Sequence, residues 1–89
     1  MLLALDVGNT NVTIGAFDQT QIAGRWRLRT IREQTADEWG ILIRNLFTLS
    51  KLDLATVDGV IISSVVPAVD QPLETMSERY FGRKPLFVN

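Results

Sequence analysis

The chain has 89 residues, of which 46% are hydrophobic and 21% are charged, and its net charge at pH 7 is −1. This size and composition predict one small globular domain or a piece of a larger one, and they exclude a second full domain or a disordered chain. Cysteine and histidine are both absent. Their absence excludes a Cys/His zinc site, a Ser-His-Asp triad and a histidine general base.

The near-zero charge removes the electrostatic reason to expect binding to nucleic acid. No apolar run approaches the roughly 20 residues that a membrane-spanning helix needs. The N-terminus lacks the positive and apolar regions of a signal peptide. We therefore expect a cytoplasmic protein without nucleic-acid or membrane partners.

The pattern of apolar residues predicts five strands. They span residues 1–7, 12–17, 22–30, 57–63 and 85–88. The first strand is apolar at every position but one, which is typical of a central strand covered on both faces. In the third strand, Arg25, Arg27 and Arg29 alternate with apolar residues, which indicates one solvated face. Residues 8–11 are a dense turn cluster and predict a hairpin between the first two strands.

A first helix is predicted to begin at Thr35 and to end near Leu52, because Thr35 and Glu38 match a capping box. Its apolar residues fall at helical spacing and are expected to cover the sheet. They are Trp39, Leu42, Ile43, Leu46, Phe47 and Leu49.

A second helix is predicted after Pro67, with Pro72 distorting or delaying its start and Gly82 capping its end. The element order is then β-β-β-α-β-α-β. This order predicts an α/β fold with a mixed sheet, in which an antiparallel three-stranded meander is extended by parallel strands and covered by helices.

Asp6 is the charged residue of the first strand. A carboxylate in a buried strand costs several kcal/mol unless it is paired, hydrogen-bonded or bound to a metal. The strand leads into Gly8-Asn9-Thr10-Asn11, whose N–H groups and polar side chains can cradle phosphate while Asp6 holds hydrated Mg²⁺. A plain hairpin turn capped by the aspartate fits the spacing equally well. A dinucleotide fingerprint and a P-loop are excluded, because the turn has one glycine, lacks lysine and precedes a strand.

Residues 5–11, with the pattern Asp-x-Gly-Asn-Thr, resemble the first phosphate motif of the acetate and sugar kinase, heat-shock chaperone and actin superfamily. More narrowly, they resemble that motif in type III pantothenate kinases. Residues 26–30, 35–38 and 62–67 are similar to the same narrower family. The resemblance implies a ribonuclease H-like half of an actin-like ATPase fold, with residues 1–89 as an N-terminal nucleotide-binding half-domain and the second domain outside this chain.

The resemblance also implies a function. A full-length enzyme of this family phosphorylates pantothenate to 4′-phosphopantothenate with ATP, the first step of coenzyme A biosynthesis. Asp6 would position Mg²⁺ through water. The residues that would line the ATP phosphates are Asp6, Val7, Gly8, Asn9, Thr10, Asn11, Val12 and Thr13.

Other parts of the family's machinery are expected outside this chain. The family's catalytic aspartate lies in a Gly-x-Asp-Arg motif that this sequence lacks, so it is expected beyond Asn89. We therefore assign no catalytic residue and expect the isolated chain to be inactive. A monovalent cation, K⁺ or NH₄⁺, and a homodimer are also implied by the resemblance. Two alternatives stay open on the same scaffold: a non-catalytic accessory transcriptional regulator, and a structural or dimerisation module.

The remaining polar and aromatic residues have simpler interpretations. Arg32 is grouped with the arginines of the third strand as part of a solvated face, and contact of these arginines with a nucleic acid, a partner or phosphates is the alternative. Ser63 and Ser64 are expected to cap a helix, with a secondary role near substrate as the alternative. Five large side chains are expected in the core or an interface. They are Trp26, Trp39, Phe47, Met76 and Tyr80.

Overall fold

In the computed structural model, which describes residues 1–88, five strands form one mixed sheet. The strands are β1 (Leu2–Val7), β2 (Asn11–Asp18), β3 (Gln21–Arg29), β4 (Gly59–Ser64) and β5 (Leu86–Val88). The helices are α1 (Ala36–Leu49) and α2 (Asp70–Phe81), with short 3₁₀ turns at Leu54–Thr56 and Pro67–Val69. Neither described helix is long and apolar enough to span a membrane.

The predicted half-domain extends one residue further than this description. Its boundary is Asn89, and Asn89 lies outside the described residues. The assignment of residues 1–89 to an N-terminal nucleotide-binding half-domain therefore stays a prediction.

β1 occupies the centre of the sheet, whose strand order is β3-β2-β1-β4-β5. It pairs antiparallel with β2 and parallel with β4, while β3 pairs antiparallel with β2 and β5 pairs parallel with β4. A parallel neighbour requires a crossover connection, and α1 and α2 provide the two crossovers. The predicted element order, the central position of β1 and the mixed sheet are confirmed.

This topology brings several connections to one edge of the sheet. β1, β3, β4 and β5 run in the same direction, so the segments that follow β1, β3 and β4 leave the sheet together. We call this end the hairpin edge. It consists of residues 8–10 between β1 and β2, residues 30–35 before α1, residues 65–69 before α2, and the strand residues next to these segments, such as Asp6.

Both helices pack on one face of the sheet and on each other. The core lies between them and the strands, and its largest fully buried members include Trp39, Phe47, Leu3, Ile14, Ile43, Ile62, Leu73 and Met76. The Phe47 ring lies 5.5 Å from the Trp26 ring and 6.0 Å from the Phe81 ring, measured between centroids. Trp39, Phe47 and Met76 are therefore core residues as predicted, whereas Trp26 and Tyr80 are half-buried at its margin.

The prediction that β1 is covered on both faces is wrong. Leu3, Leu5 and Val7 are buried, but Leu2 is 41% exposed and Asp6 is also exposed, so the described residues cover one face only. Leu2 and Ala4 are apolar although they belong to the open face, and this makes the strand resemble a doubly covered one. Asp6 is thus not a buried charge, and the predicted desolvation cost does not arise.

The capping box of α1 is present with both of its hydrogen bonds. The Glu38 N–H donates to Thr35 Oγ1 at 3.2 Å, and the Thr35 N–H donates to Glu38 Oε1 at 2.8 Å. The helix ends at Leu49, short of the predicted end near Leu52, and Leu49 is 82% exposed rather than part of the apolar face. Residues two positions apart in a helix are about 200° apart around its axis, so Leu49 lies almost opposite Phe47.

Helix α2 begins later than Pro67, because a 3₁₀ turn precedes it. Pro72 is its third residue, within the first turn, where a missing N–H breaks no helical hydrogen bond. Gly82 ends the helix with a left-handed φ of 65°, as predicted. Across the helix pair, Tyr80 Oη donates to Asp37 Oδ1 at 3.1 Å, and burial together with this bond raises the pKa of Tyr80.

Candidate functional site

Asp6 lies at the hairpin edge, on the open face of the sheet. In the strand register it stands opposite Thr13 of β2 and Ser63 of β4. Register partners on neighbouring strands share a face and lie about 5 Å apart, so two hydroxyl groups flank the carboxylate. Among residues 1–88, the Asp6 carboxylate has no hydrogen-bond or ion-pair partner. It is therefore a charged group held by a central strand and available to a ligand.

The turn after β1 exposes backbone donors next to this carboxylate. The Gly8 N–H closes the turn by donating to Asn11 O at 2.9 Å, and a Cβ at Gly8 would lie 3.3 Å from that oxygen. Asn9 and Thr10 are exposed residues, and within the described part of the chain their backbone N–H groups donate to no acceptor. Free, successive N–H groups in a turn can form an anion-binding concavity. The turn can therefore bind phosphate oxygens.

The sequence-predicted ATP residues separate into two groups. Val7 and Val12 are 1% and 0% exposed, so both residues anchor the hairpin in the core. Thr13 is half-buried opposite Asp6, and the turn residues and Asn11 lie at the surface or partly exposed. The structure thus brings Asp6, the turn and Thr13 together at one edge.

The segment after β3 braces the turn. Thr30 Oγ1 donates to Gly8 O at 2.7 Å, and the Thr30 N–H donates to Thr10 O at 2.8 Å. Arg32 Nη2 donates to Asn9 Oδ1 at 3.2 Å. The turn is therefore attached to a second segment of the hairpin edge through both backbone and side-chain contacts.

At the opposite edge of the sheet, the Asp58 carboxylate has a partner within the fold. There the Met1 ammonium donates to Asp58 Oδ1 at 3.1 Å and to Thr56 O at 2.7 Å. The hydrogen bond from this ammonium, and its charge, hold the pKa of the Asp58 carboxyl below its usual range. Asp58 is thus engaged within the fold, whereas Asp6 is not.

A cavity of about 330 Å³ lies on the open face beside Asp6. Much of its lining is apolar, with contributions from Phe17, Ile22 and Ile61, and it also includes Asp6 and Ser63. The open face therefore passes from a polar row at the hairpin edge into an apolar surface.

Comparison with known proteins decides the family. The model of the family described as type III pantothenate kinase matches residues 2–89 of the chain. The chain belongs to this family. The resemblance to type III pantothenate kinases that the sequence motifs indicate is therefore confirmed.

Several curated type III pantothenate kinases are similar over the same segment. The enzyme of Solibacter usitatus is 59% identical over 88 residues, that of Koribacter versatilis 49% over 98, and that of Myxococcus xanthus 49% over 88. Each comparison covers 99% of this chain but only 34% to 36% of the relative. The chain therefore spans about a third of the length of these type III pantothenate kinases.

A solved structure shows the same fold. The crystal structure of the ROK hexokinase from Thermus thermophilus matches with a TM-score of 0.71 and 16% identity, over 99% of this chain and 34% of that one. At this level of identity the likeness concerns the fold alone. It confirms an α/β fold of the actin-like ATPase type.

The sequence does not predict the contact between Arg32 and Asn9. It also assigns a wrong role to Ser63 and Ser64. It groups Arg32 with the arginines of β3, although residue 32 breaks the odd-numbered alternation of residues 25, 27 and 29. Those three arginines do lie exposed along β3, as predicted. Ser63 and Ser64 do not cap a helix; Ser64 Oγ instead accepts a hydrogen bond from the Val66 N–H at 3.1 Å.

Proposed function

We propose that this chain supplies the Mg²⁺-ATP phosphate-binding hairpin of a full-length kinase that phosphorylates pantothenate to 4′-phosphopantothenate, the first step of coenzyme A biosynthesis. Family membership supports the reaction. The observation that carries the hairpin assignment is the unpartnered Asp6 carboxylate beside the free N–H groups of Asn9 and Thr10. Residues 1–89 then act as the nucleotide-binding half-domain at the N-terminal end of that enzyme.

The residues present fit magnesium bound together with a nucleotide. Mg²⁺ is usually held by one or two carboxylates, with phosphate oxygens and water completing its octahedron. Among residues 1–88 no three acidic side chains cluster to form an all-protein metal cage. Asp6 would be the carboxylate, acting through water. When bound, Mg²⁺ supplies charge neutralisation on the phosphate oxygens.

The chain's own contribution is to bind and orient the phosphates. The Asn9 and Thr10 N–H groups would donate to phosphate oxygens, and the side chains of Asn9, Thr10, Asn11 and Thr13 would add polar contacts. Gly8 keeps the turn narrow, because a side chain there would crowd Asn11 O at 3.3 Å. Phosphoryl transfer depends mainly on positioning and charge stabilisation, which is the chemistry that such donors provide.

Other features of the proposed enzyme are supported only by membership of the family. They are the catalytic aspartate, which we place beyond Asn89, the ligands of a K⁺ or NH₄⁺ ion, the pantothenate contacts, a homodimeric assembly and a cytoplasmic location. We assign none of the first three to residues of this chain. The isolated chain is accordingly expected to lack kinase activity.

The decisive variant is Asp6→Asn in the complete polypeptide that contains this chain. Replacing the carboxylate by an amide removes the charge that holds the metal, so we expect kcat/KM for ATP to fall by at least roughly 100-fold. Because Asp6 is exposed and unpartnered, the free energy of unfolding should change by less than about 0.5 kcal/mol. Steady-state phosphorylation of pantothenate and chemical denaturation measure the two quantities.

Asp18→Asn is the matched control, because Asp18 is an exposed aspartate at the far end of β2. It should leave both quantities unchanged. The isolated chain serves as the preparation expected to show no turnover. Full turnover by Asp6→Asn would refute the role of the hairpin, whereas turnover by the isolated chain would refute the placement of the catalytic residue elsewhere.

A further inference from the structure

The loop of residues 30–35 is fixed at both ends beside the turn. At its start, Thr30 makes two hydrogen bonds to Gly8 and Thr10, at 2.7 and 2.8 Å. At its end, Thr35 caps α1. Between these two anchors, Arg32 reaches the turn and donates to Asn9 Oδ1 at 3.2 Å. The guanidinium is therefore held next to the free N–H groups of Asn9 and Thr10 rather than extended at random into solvent.

The charge of Arg32 is not neutralised within the described fold. Among residues 1–88, the ion pairs are Met1 with Asp58 and Arg79 with Asp37, and neither includes Arg32. A guanidinium has five N–H donors, and the contact with Asn9 uses one nitrogen. Several N–H donors and the positive charge of Arg32 thus remain available to a ligand next to residues 8–10.

We propose that Arg32 binds the phosphate chain of the nucleotide from the side of residues 30–35, as a charged extension of the hairpin. This inference rests on the proposed function, since it names a further contact for the same ligand. Planar guanidinium groups match phosphate oxygens geometrically and form charge-assisted hydrogen bonds with them. Asn9 then has two roles: it contacts phosphate and keeps the guanidinium close.

The experiment compares Arg32→Gln and Arg32→Lys in the complete polypeptide that contains this chain. Calorimetry measures the Kd of Mg²⁺-ATP, and steady-state kinetics measure KM for ATP and for pantothenate. Arg32→Gln should raise the Kd and KM for ATP about 10-fold, the size of one lost charge-assisted contact, and leave KM for pantothenate unchanged. Arg32→Lys, which keeps the charge, should lose less.

Two further measurements separate phosphate binding from bracing of the turn. The loss in Arg32→Gln should shrink between about 50 and 300 mM NaCl, because salt screens an exposed charge. It should be reduced but not abolished in an Asn9→Ala background, because the bond that holds the guanidinium is lost while the charge stays on a loop that Thr30 and Thr35 still fix. Arg44→Gln removes an exposed arginine from the middle of α1 and should leave every constant unchanged.

The inference is overturned if Arg32→Gln leaves the Kd of ATP within about twofold of the wild type. Equal, salt-independent losses in the glutamine and lysine variants would also overturn it, as would disappearance of the effect in Asn9→Ala, because both indicate a brace. Failure of the proposed function looks different, since Asp6→Asn would then retain turnover. A wild-type polypeptide that does not bind ATP would overturn both proposals.

Discussion

The helix-covered face of the sheet and the hairpin edge differ in whether their side chains are buried within the fold or available to a ligand. On the covered face, apolar side chains from strands and helices fill one continuous core, as Leu3, Ile43 and Phe47 do at 0% exposure. At the hairpin edge, the described residues include polar groups with partners, such as Thr30 and Thr35, and groups without, such as Asp6. The groups that stabilise the fold are thus largely separate from those available to a ligand.

The largest expected loss of folding stability comes from a substitution on the covered face. Phe47→Ala removes a ring that packs between Trp26 and Phe81, and such truncations cost about 3–5 kcal/mol. A small domain has only about 5–15 kcal/mol of stability in total, so the midpoint of chemical denaturation should fall steeply. Urea titration followed by tryptophan fluorescence measures the change.

Leu49→Ala is the control for this truncation, because Leu49 belongs to the same helix but is 82% exposed. It should change the free energy of unfolding by less than about 0.5 kcal/mol. Similar losses from the two variants would mean that stability is not concentrated on the covered face.

An intermediate effect is expected from a polar group of the hairpin edge that has a partner. Thr35→Ala removes the side-chain acceptor of the Glu38 N–H at the start of α1, which should cost about 1 kcal/mol. Thr48→Ala, an exposed threonine near the end of the same helix, is the control. If thermal unfolding shows the two variants to be equal, the capping box contributes nothing measurable to the fold.

The smallest effect concerns Asp58, at the edge opposite the hairpin. Its pKa is lowered in the folded state by the Met1 ammonium, so this contact stabilises the fold above the unfolded pKa, and the contribution is lost as the pH falls through the folded pKa. The stability difference between wild type and Asp58→Asn should be constant from about pH 5 to 7 and narrow below about pH 4. Denaturation curves across this range test the prediction, and a difference that widens in acid would contradict it.

Much of the fold follows from local patterns in the sequence. The alternation of Arg25, Arg27 and Arg29 indicates a half-solvated strand, the Thr35 and Glu38 pair predicts the start of α1, and Gly82 predicts the end of α2. Each of these signals acts within a few residues, where hydrogen bonding and side-chain direction depend little on the rest of the chain. The candidate site is predictable in the same way, because Asp6 and the turn are adjacent in the chain.

What the sequence does not predict depends on distant partners. A strand can have the same apolar sequence whether helices cover one face of the sheet or both. The exposure of Asp6 can therefore be predicted only when it is known where the helices pack. The bond from Arg32 to Asn9 joins residues 23 positions apart, and no local pattern encodes it. Ser63 is beside Asp6 only through the parallel register of β1 and β4.

The central position of β1 has a consequence for the dynamics of the molecule. Its amides are hydrogen-bonded between β2 and β4, so their exchange with solvent deuterium requires one of these neighbours to separate, whereas β3 and β5 each have a single partner. β1 should therefore belong to the cooperative unit that opens last. Asp6 is carried by that unit, so the metal-positioning carboxylate we propose stays in place while the margins of the sheet fray and re-form around it.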